Sequence, residues 1–470
     1  MLLLGALTVG VVLMWTTTSQ RRNAPPSVSI SDYRSIEEYG IIYDASARYP
    51  TAVQDIIGLA GNAASTPEAV VDAAQRKAAA APWSDDYQVV LLALAVALEV
   101  DATATHVATE LLHEPDPKRT AEVAATLRTL ASIAAGEHVD LAGVGLHLKR
   151  IGTTRWLPTR LEAANLRNRD GREGGNSLRA RASELATGYV DTYMTSTFVQ
   201  LGLLLLGLIV LLTSVLWRRA LARRGFAGLK GSTSRFDLNQ TTRVVAGWFL
   251  LFVFAGQAIA TAGAAAGSSP RTQVMFGALT TLAHGIIGVV LIYTLARQED
   301  GVQPLAKAFG LSAKPLPRRW LGLALGLVPG IAFAAFVTEG AFALNTLLFG
   351  EPTAPQTTLD LLIRDPSGPT MMLVGLSAVV LAPLAEELIF RGFLYRNLRD
   401  RLGPAAGLFV SGAVFGAVHL DPERIIPLTA LGVVFGLLYE WTGSLLVPIA
   451  VHAVWNFLNL LSVYAIYQAA

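Results

Sequence analysis

Residues 198–217, FVQLGLLLLGLIVLLTSVLW, form an apolar run without a single ionisable side chain. A helix needs about 20 mainly apolar residues to cross the hydrocarbon core of a bilayer, and this run has that length. Comparable runs follow at 244–266, 274–296, 320–349, 370–390, 404–420, 425–441 and 444–467, and residues 1–18 (MLLLGALTVGVVLMWTTT) qualify marginally. The composition agrees: of 470 residues 52% are hydrophobic and 15% charged, with a mean hydropathy of +0.46. An average soluble domain carries about 25% charged residues. The expected fold is therefore all-α: a polytopic membrane helix bundle with an N-terminal extracytoplasmic α-helical domain, embedded in a lipid bilayer. A net charge of +2 without a large basic block gives no footprint for a nucleic-acid partner. The absence of cysteine excludes disulfides, thiolate metal sites and a cysteine nucleophile.

Basic residues beside the spans set the direction of threading. Arg218, Arg219, Arg223 and Arg224 follow 198–217; Lys307, Lys314, Arg318 and Arg319 precede 320–349; Arg391, Arg396, Arg399 and Arg401 cluster after Glu387. The loops between are poor in base, so these three face the cytoplasm and 19–196 faces the other side. Arg21 and Arg22 argue the other way and are outnumbered. Residues 1–18 lack a basic leading region and read as an uncleaved anchor rather than a signal peptide. The expected location is the plasma (inner) membrane.

The expected organisation is an anchor at 1–18, a helical soluble domain at 19–196, accessory transmembrane helices at 197–369 and a four-helix core at 370–467. Within 19–196, Thr66-Pro67-Glu68 predicts a helix start, with a capping hydroxyl before proline at the first helical position. Ser84-Asp85-Asp86 and Asp116-Pro117 predict two more, the latter ending at Gly136. The run VVLLALAVAL at 89–98 is too short to cross a bilayer and reads as a buried helix. NRDGREGGN at 168–176 reads as a loop before a helix that continues into 198–217. His106, His113, His138 and His147 show no metal-ligand spacing and read as surface or core histidines. This domain suits a protein or substrate partner.

Ionisable groups inside spans are costly, by roughly 2.5–3.5 kcal/mol each on insertion scales, and so mark function by default. The last hundred residues carry several. LAPLAEELIFRGFLYRNL (381–398) holds Glu386, Glu387 and Arg391; FGAVHL holds Phe415 and His419; PIAVHAVWNFLNLL holds His452 and Asn456. Glu387 and Arg391, like His452 and Asn456, are spaced i, i+4 and share a helix face. If 370–390 and 404–420 form a hairpin turning near Leu402-Gly403, Glu386 lies roughly 21 Å from Asp400 and His419 roughly 22 Å from Pro404. With the last two spans turning near Thr442-Gly443, His452 and Asn456 lie roughly 14 Å and 20 Å from that turn. One inner zone of the bilayer then holds all of them.

Such a set suits hydrolysis of a peptide bond. A glutamate without a cationic partner can act as general base towards water, and a histidine can share and orient that water. A His/Asn pair can donate to a developing oxyanion. The blander reading of Glu387–Arg391 is a structural ion pair that makes an intramembrane charge tolerable, an excuse Glu386 lacks. His284 reads as structural. Glu339 lines a cavity or faces a loop, and Glu440, beside a cytoplasmic turn, is expected to be solvated. The G-x-S-x-G elbow of serine hydrolases is missing.

EELIFRG, FGAVH and HAVWN, in that order on successive spans, resemble the three-part pattern of the CAAX protease and bacteriocin-processing (CPBP) family of intramembrane endopeptidases. The type II CAAX prenyl endopeptidases belong to it. The resemblance covers about 370–460. It implies Glu386 as the base activating water, His419 as a second holder of that water, and His452 with Asn456 as the oxyanion site. Arg391 and Glu387 would position the catalytic glutamate. Members are described both as metalloproteases and as metal-free glutamate enzymes. No cofactor is favoured here, because the chain has no His-Glu-x-x-His; if zinc were used, Glu386, His419 and His452 would be its ligands. The implied substrate is a membrane-associated protein or peptide. The alternative is a non-proteolytic scaffold or immunity-type protein of the same fold that binds a partner peptide. A transporter should show two related halves, and none is visible.

Overall fold

The computed structural model describes residues 30–46, 48–49, 66–78, 85–113, 120–223, 236–266, 269–300, 316–349, 367–421 and 424–469. The span expected at 1–18 lies outside these residues, as do Ser84, Asp116-Pro117 and the loop lysines Lys307 and Lys314. Among the described residues there are helices and turns but no strand. The chain divides into two compact units, one taking in Pro26–Thr197 and the other Phe198–Ala354 with Asp365–Leu461.

The first unit contains α1 (Ile30–Ser46), α2 (Pro67–Ala78), α3 (Asp85–Ala97), α4 (Asp101–His113), α5 (Ala121–Ala134), α6 (Ala142–Ile151) and α7 (Trp156–Asp170). Helix α3 is apolar all round and is enclosed by its neighbours, with Val89 to Ala97 all buried, as a run too short to cross a bilayer should be. Thr66 Oγ1 accepts from the Ala69 amide at 3.3 Å, so α2 starts at its expected cap. Helix α5 begins at Ala121, where the Thr120 hydroxyl supplies the cap, accepting from Val123 N at 3.3 Å.

Several polar groups inside this unit are paired. Trp156 is fully buried, and its Nε1 donates to Asp44 Oδ2 at 2.8 Å, with Arg160 at 3.3 Å from the same carboxylate. Burial pushes the Asp44 carboxyl up, and Arg160 opposes the rise. His147 is wholly buried between Asp86 (3.1 Å) and Glu122 (3.3 Å). His138 meets the Asn165 carbonyl at 3.1 Å, and His106 is exposed.

Helix α8 (Asn176–Leu212) starts after Gly175 and continues without interruption through 198–212, as expected from the sequence. It ends five residues before the predicted Trp217; after Thr213, whose hydroxyl bonds the Ile209 carbonyl at 2.6 Å, the chain restarts as α9 (Ser214–Arg223).

The remaining helices are α10 (Leu238–Ala266), α11 (Pro270–Asp300), α12 (Leu316–Phe349) and α13 (Gly368–Gly375). A wide π turn, π1 (Leu376–Leu381), leads into α14 (Ala382–Glu387) and a second one, π2 (Leu388–Tyr395). Helices α15 (Arg396–Val418), α16 (Ile425–Thr442) and α17 (Leu446–Ala469) complete the unit. Seven stretches among the described residues are long and apolar enough to cross a membrane. The longest, Gly368–Val418, contains two of the expected spans, 370–390 and 404–420. The chain is an all-α polytopic membrane bundle.

Gly403 separates those two spans. Its φ of 80° and ψ of 165° are open to glycine and strained for other residues, and Pro404 follows. The chain folds back there: the Ser411 hydroxyl reaches the Phe390 carbonyl at 3.4 Å, and the Phe390 and Phe415 rings meet edge-on at 5.2 Å. Glu386 and His419 each lie one turn further along, which is the antiparallel hairpin predicted from the spacing. The fold also corrects the expectation for Glu440. Its carboxylate accepts from Tyr395 Oη and Arg399 Nε at 2.7 Å each and from Arg399 Nη2 at 3.0 Å. It is a part-buried clamp rather than a solvated loop charge, because the fold brings Arg399 to the end of α16.

Helices α15 and α16 pack backbone to backbone. A Cβ at Gly432 would come within 2.9 Å of Gly412 Cα, so only small residues allow this approach. Gly285 of α11 lies against Ala385 in the same way, where a Cβ would stand 2.9 Å from the alanine methyl.

Candidate active site

Glu387 and Arg391 lie in π2 and the turn before it, one helical step apart, and form an ion pair with Oε1 and Nη1 at 2.7 Å. Both side chains are sealed from solvent, so each charge must be compensated by protein. Arg391 Nη2 donates to the Gly432 carbonyl at 2.8 Å, a bond that the close approach of α16 makes possible. The guanidinium lies 4.7 Å from the centre of the Phe415 ring and 5.2 Å from that of Phe435. Aromatic faces favour a desolvated cation. Arg391 is thus a buried structural charge rather than part of a cytoplasmic loop cluster.

His452 on α17 joins this pair. Its Nδ1 stands 3.0 Å from Glu387 Oε1, and its ring stacks on Phe435 at 4.5 Å and 24°. A carboxylate only accepts, so the bond puts a proton on Nδ1 and turns Nε2 away from Glu387. That nitrogen faces Glu386 Oε2 at 3.9 Å, too far for a direct hydrogen bond. Glu386 keeps 27% of its side-chain surface, whereas Glu387 keeps none. Adjacent in sequence, the two carboxylates have opposite environments.

His419 terminates α15. Its Nδ1 lies 2.7 Å from the Phe415 carbonyl, which again makes Nδ1 a donor. The following residue, Leu420, has φ of 53°, a left-handed conformation that costs energy for a branched side chain. Phe415 stands between the histidines, edge-on to His419 at 4.9 Å and to His452 at 6.2 Å. Asn456 occupies the same helix face as His452, and its Nδ2 donates to the Ala378 carbonyl in π1 at 2.8 Å. One amide hydrogen of this expected oxyanion donor is therefore committed to the backbone.

The predicted residues thus fall into a buried centre of Glu387, Arg391 and His452, with Glu386 at its margin. His419 is joined to that centre through Phe415, and Asn456 is tied to π1. Among the described residues no three His, Asp or Glu side chains are arranged to hold a metal ion, the set Glu386, His419 and His452 included. His284 packs its ring on Phe252, with Nε2 buried and unbonded, and Glu339 is exposed. Sequence reasoning missed Phe435, Gly432, Ala378 and the π turns. The i, i+4 glycine pairs Gly412/Gly416 and Gly432/Gly436 signal the close helix approach and could have pointed to Gly432.

Residues 368–458 match the family described as type II CAAX prenyl endopeptidase Rce1-like. The chain is 28% identical over 132 residues to "Putative membrane peptidase YdiL" of Bacillus subtilis, covering 28% of this chain and 53% of that protein. It is 34% identical over 83 residues to "Membrane-embedded CAAX protease MroQ" of Staphylococcus aureus, covering 16% of this chain and 34% of that one. An uncharacterized 24.3 kDa protein of Escherichia coli is 27% identical over 175 residues, 36% of this chain and 74% of its own. The match therefore spans about half the length of YdiL and a third of MroQ. No solved structure matches the chain significantly.

Proposed function

We propose that this chain, assigned through residues 368–458 to the CAAX protease and bacteriocin-processing family, is an intramembrane endopeptidase that cleaves a membrane-associated protein or peptide with a glutamate-activated water. One observation carries the reading: of two adjacent glutamates, Glu387 is held by Arg391 and His452, while Glu386 is part-exposed, with His452 Nε2 at 3.9 Å and no hydrogen bond. A carboxylate left without a hydrogen bond at a buried polar centre is the base that the reaction needs.

In this reading Glu386 takes a proton from water, and the hydroxide adds to the scissile carbonyl carbon. His419 Nε2 accepts the water's other hydrogen bond and fixes its direction. The remaining Asn456 amide hydrogen serves the oxyanion, and His452 does so when Nε2 is protonated. Collapse of the tetrahedral intermediate breaks the C–N bond, and Glu386 returns its proton to the leaving amine. Glu387 and Arg391 hold His452 and the turn that carries Glu386. The catalytic core is 370–467. Residues 19–196 form a separate helical domain on the extracytoplasmic side of the plasma membrane, with a protein partner or the substrate as its ligand.

Cleavage of a panel of membrane peptides by the purified protein in detergent tests this. Wild type is compared with Glu386→Ala and His419→Ala, each with and without a chelator. Loss of cleavage in both variants is expected. Cleavage that survives Glu386→Ala overturns the mechanism, and wild-type cleavage abolished by chelator replaces it with a metal-dependent one.

A further inference from the structure

The π1 turn has an unusual hydrogen-bond register. The Ala382 amide reaches back five residues to the Ser377 carbonyl, where an α-helix would reach back four. In that register the donor next in line, for the Ala378 carbonyl, is the amide of residue 383. Residue 383 is proline and has no N–H. The Ala378 carbonyl is left without its own helix's donor, a costly condition for a backbone group in an apolar bundle. Asn456 Nδ2 fills the position at 2.8 Å.

We infer that Pro383 and Asn456 form a matched pair that locks the wide turn leading into Glu386, with Asn456 a positioning residue in addition to its place at the site. Proline frees the carbonyl, and the asparagine amide captures it from α17. Helix α17 thereby grips the glutamate-bearing segment at two heights, through Asn456 on Ala378 and through His452 on Glu387. Rotation between π and α registers would swing Glu386 and Glu387 together about the helix axis and move each out of its present environment. The catalytic consequence rests on the hydrolytic reading above; the tether itself does not.

A double-mutant cycle on the full chain in detergent decides it. Wild type, Pro383→Ala, Asn456→Leu and the double variant are unfolded thermally, followed by tryptophan fluorescence. Asn456→Leu removes the donor at nearly constant volume and should lower Tm. In the Pro383→Ala background the new amide at 383 can serve Ala378, so the same change should lower Tm by less than half as much. Additive losses overturn the tether. If Asn456→Leu does not fold, the yield of monodisperse protein replaces Tm: recovery in the double variant is expected, and no recovery overturns the pair.

Turnover of the peptide panel adds a reading that stability alone would not move. The double variant should regain kcat over Asn456→Leu by roughly tenfold, part of the ~10²-fold that a 1 Å misplacement can cost, with KM unchanged. Stability regained with kcat still lost overturns the positioning role. A wild type that cleaves nothing overturns the proposed hydrolysis, while the Tm cycle still decides the Pro383–Asn456 pair.

Discussion

Glu387 and Arg391 meet at 2.7 Å with both side chains out of reach of solvent, and the Gly432 and His452 contacts of the site converge on them. Arg391 spends its second terminal nitrogen on the Gly432 carbonyl, and Glu387 shares the bonded oxygen with His452. The pair links the Glu386 segment, α16 and α17.

Arg391→Ala strands the Glu387 carboxylate. Breaking a buried pair by removing one partner costs about 3–5 kcal/mol, and a comparable loss is expected in detergent unfolding. Arg391→Lys keeps the charge but lacks the planar fork that reaches Glu387 and Gly432 together, so it should recover only part. A loss indistinguishable from zero for Arg391→Ala would contradict the buried geometry.

Glu386→Gln and Glu387→Gln should separate activity from stability. The first changes a partly exposed carboxylate with no hydrogen bond of its own, so unfolding should move by no more than about 0.5 kcal/mol while peptide cleavage disappears. The second keeps an amide oxygen but removes the charge that faces both Arg391 and His452, and should lower stability markedly. Equal stability losses in the two variants would count against their contrasting environments.

Gly432→Val tests the helix contact. Its Cβ would come within 2.9 Å of Gly412 Cα, and overpacking of this kind costs about 1–3 kcal/mol. Separation of α15 and α16 should also pull the Gly432 carbonyl from Arg391. A variant with wild-type Tm and turnover would show that the contact is not needed.

Tyr49, outside the membrane spans, gives a pH signature. Burial first, and then its 2.9 Å bond to Asp191, push its phenol up from 10.0 to about 12. A group raised in the folded state contributes stability that is complete below its unfolded value and fades as pH rises through its folded value. The Tm advantage of wild type over Tyr49→Phe should therefore be constant up to pH 10 and shrink between 10 and about 12. An advantage that fades below pH 9 would refute the assignment.

Much of this was legible from spacing. The apolar lengths located the spans. Span lengths put the hairpin turn near Leu402-Gly403, and the break stands at Gly403, whose backbone few residues other than glycine adopt. The helix α3 was legible from ten uncharged positions too few to cross a bilayer. Glu440 was misread because a glutamate beside a turn looks solvated until Arg399 and Tyr395, more than forty positions earlier, are folded onto it. Phe435 was invisible because one phenylalanine in an apolar helix has no distinguishing pattern.

The sequence by itself determined that the chain is a membrane helix bundle and which ionisable residues its last spans carry, since transfer energies and helix periods depend on local composition alone. Only the tertiary structure decided which of Glu386 and Glu387 is left without a hydrogen bond. The two have the same chemistry and adjacent positions. They differ in what α16 and α17 bring to each: a guanidinium locked by Gly432 and an imidazole stacked on Phe435 for Glu387, and for Glu386 a part-exposed position with His452 Nε2 only at 3.9 Å. The Asn456 contact to π1 is also tertiary, because the carbonyl that a proline leaves without a donor is satisfied only when another helix supplies one.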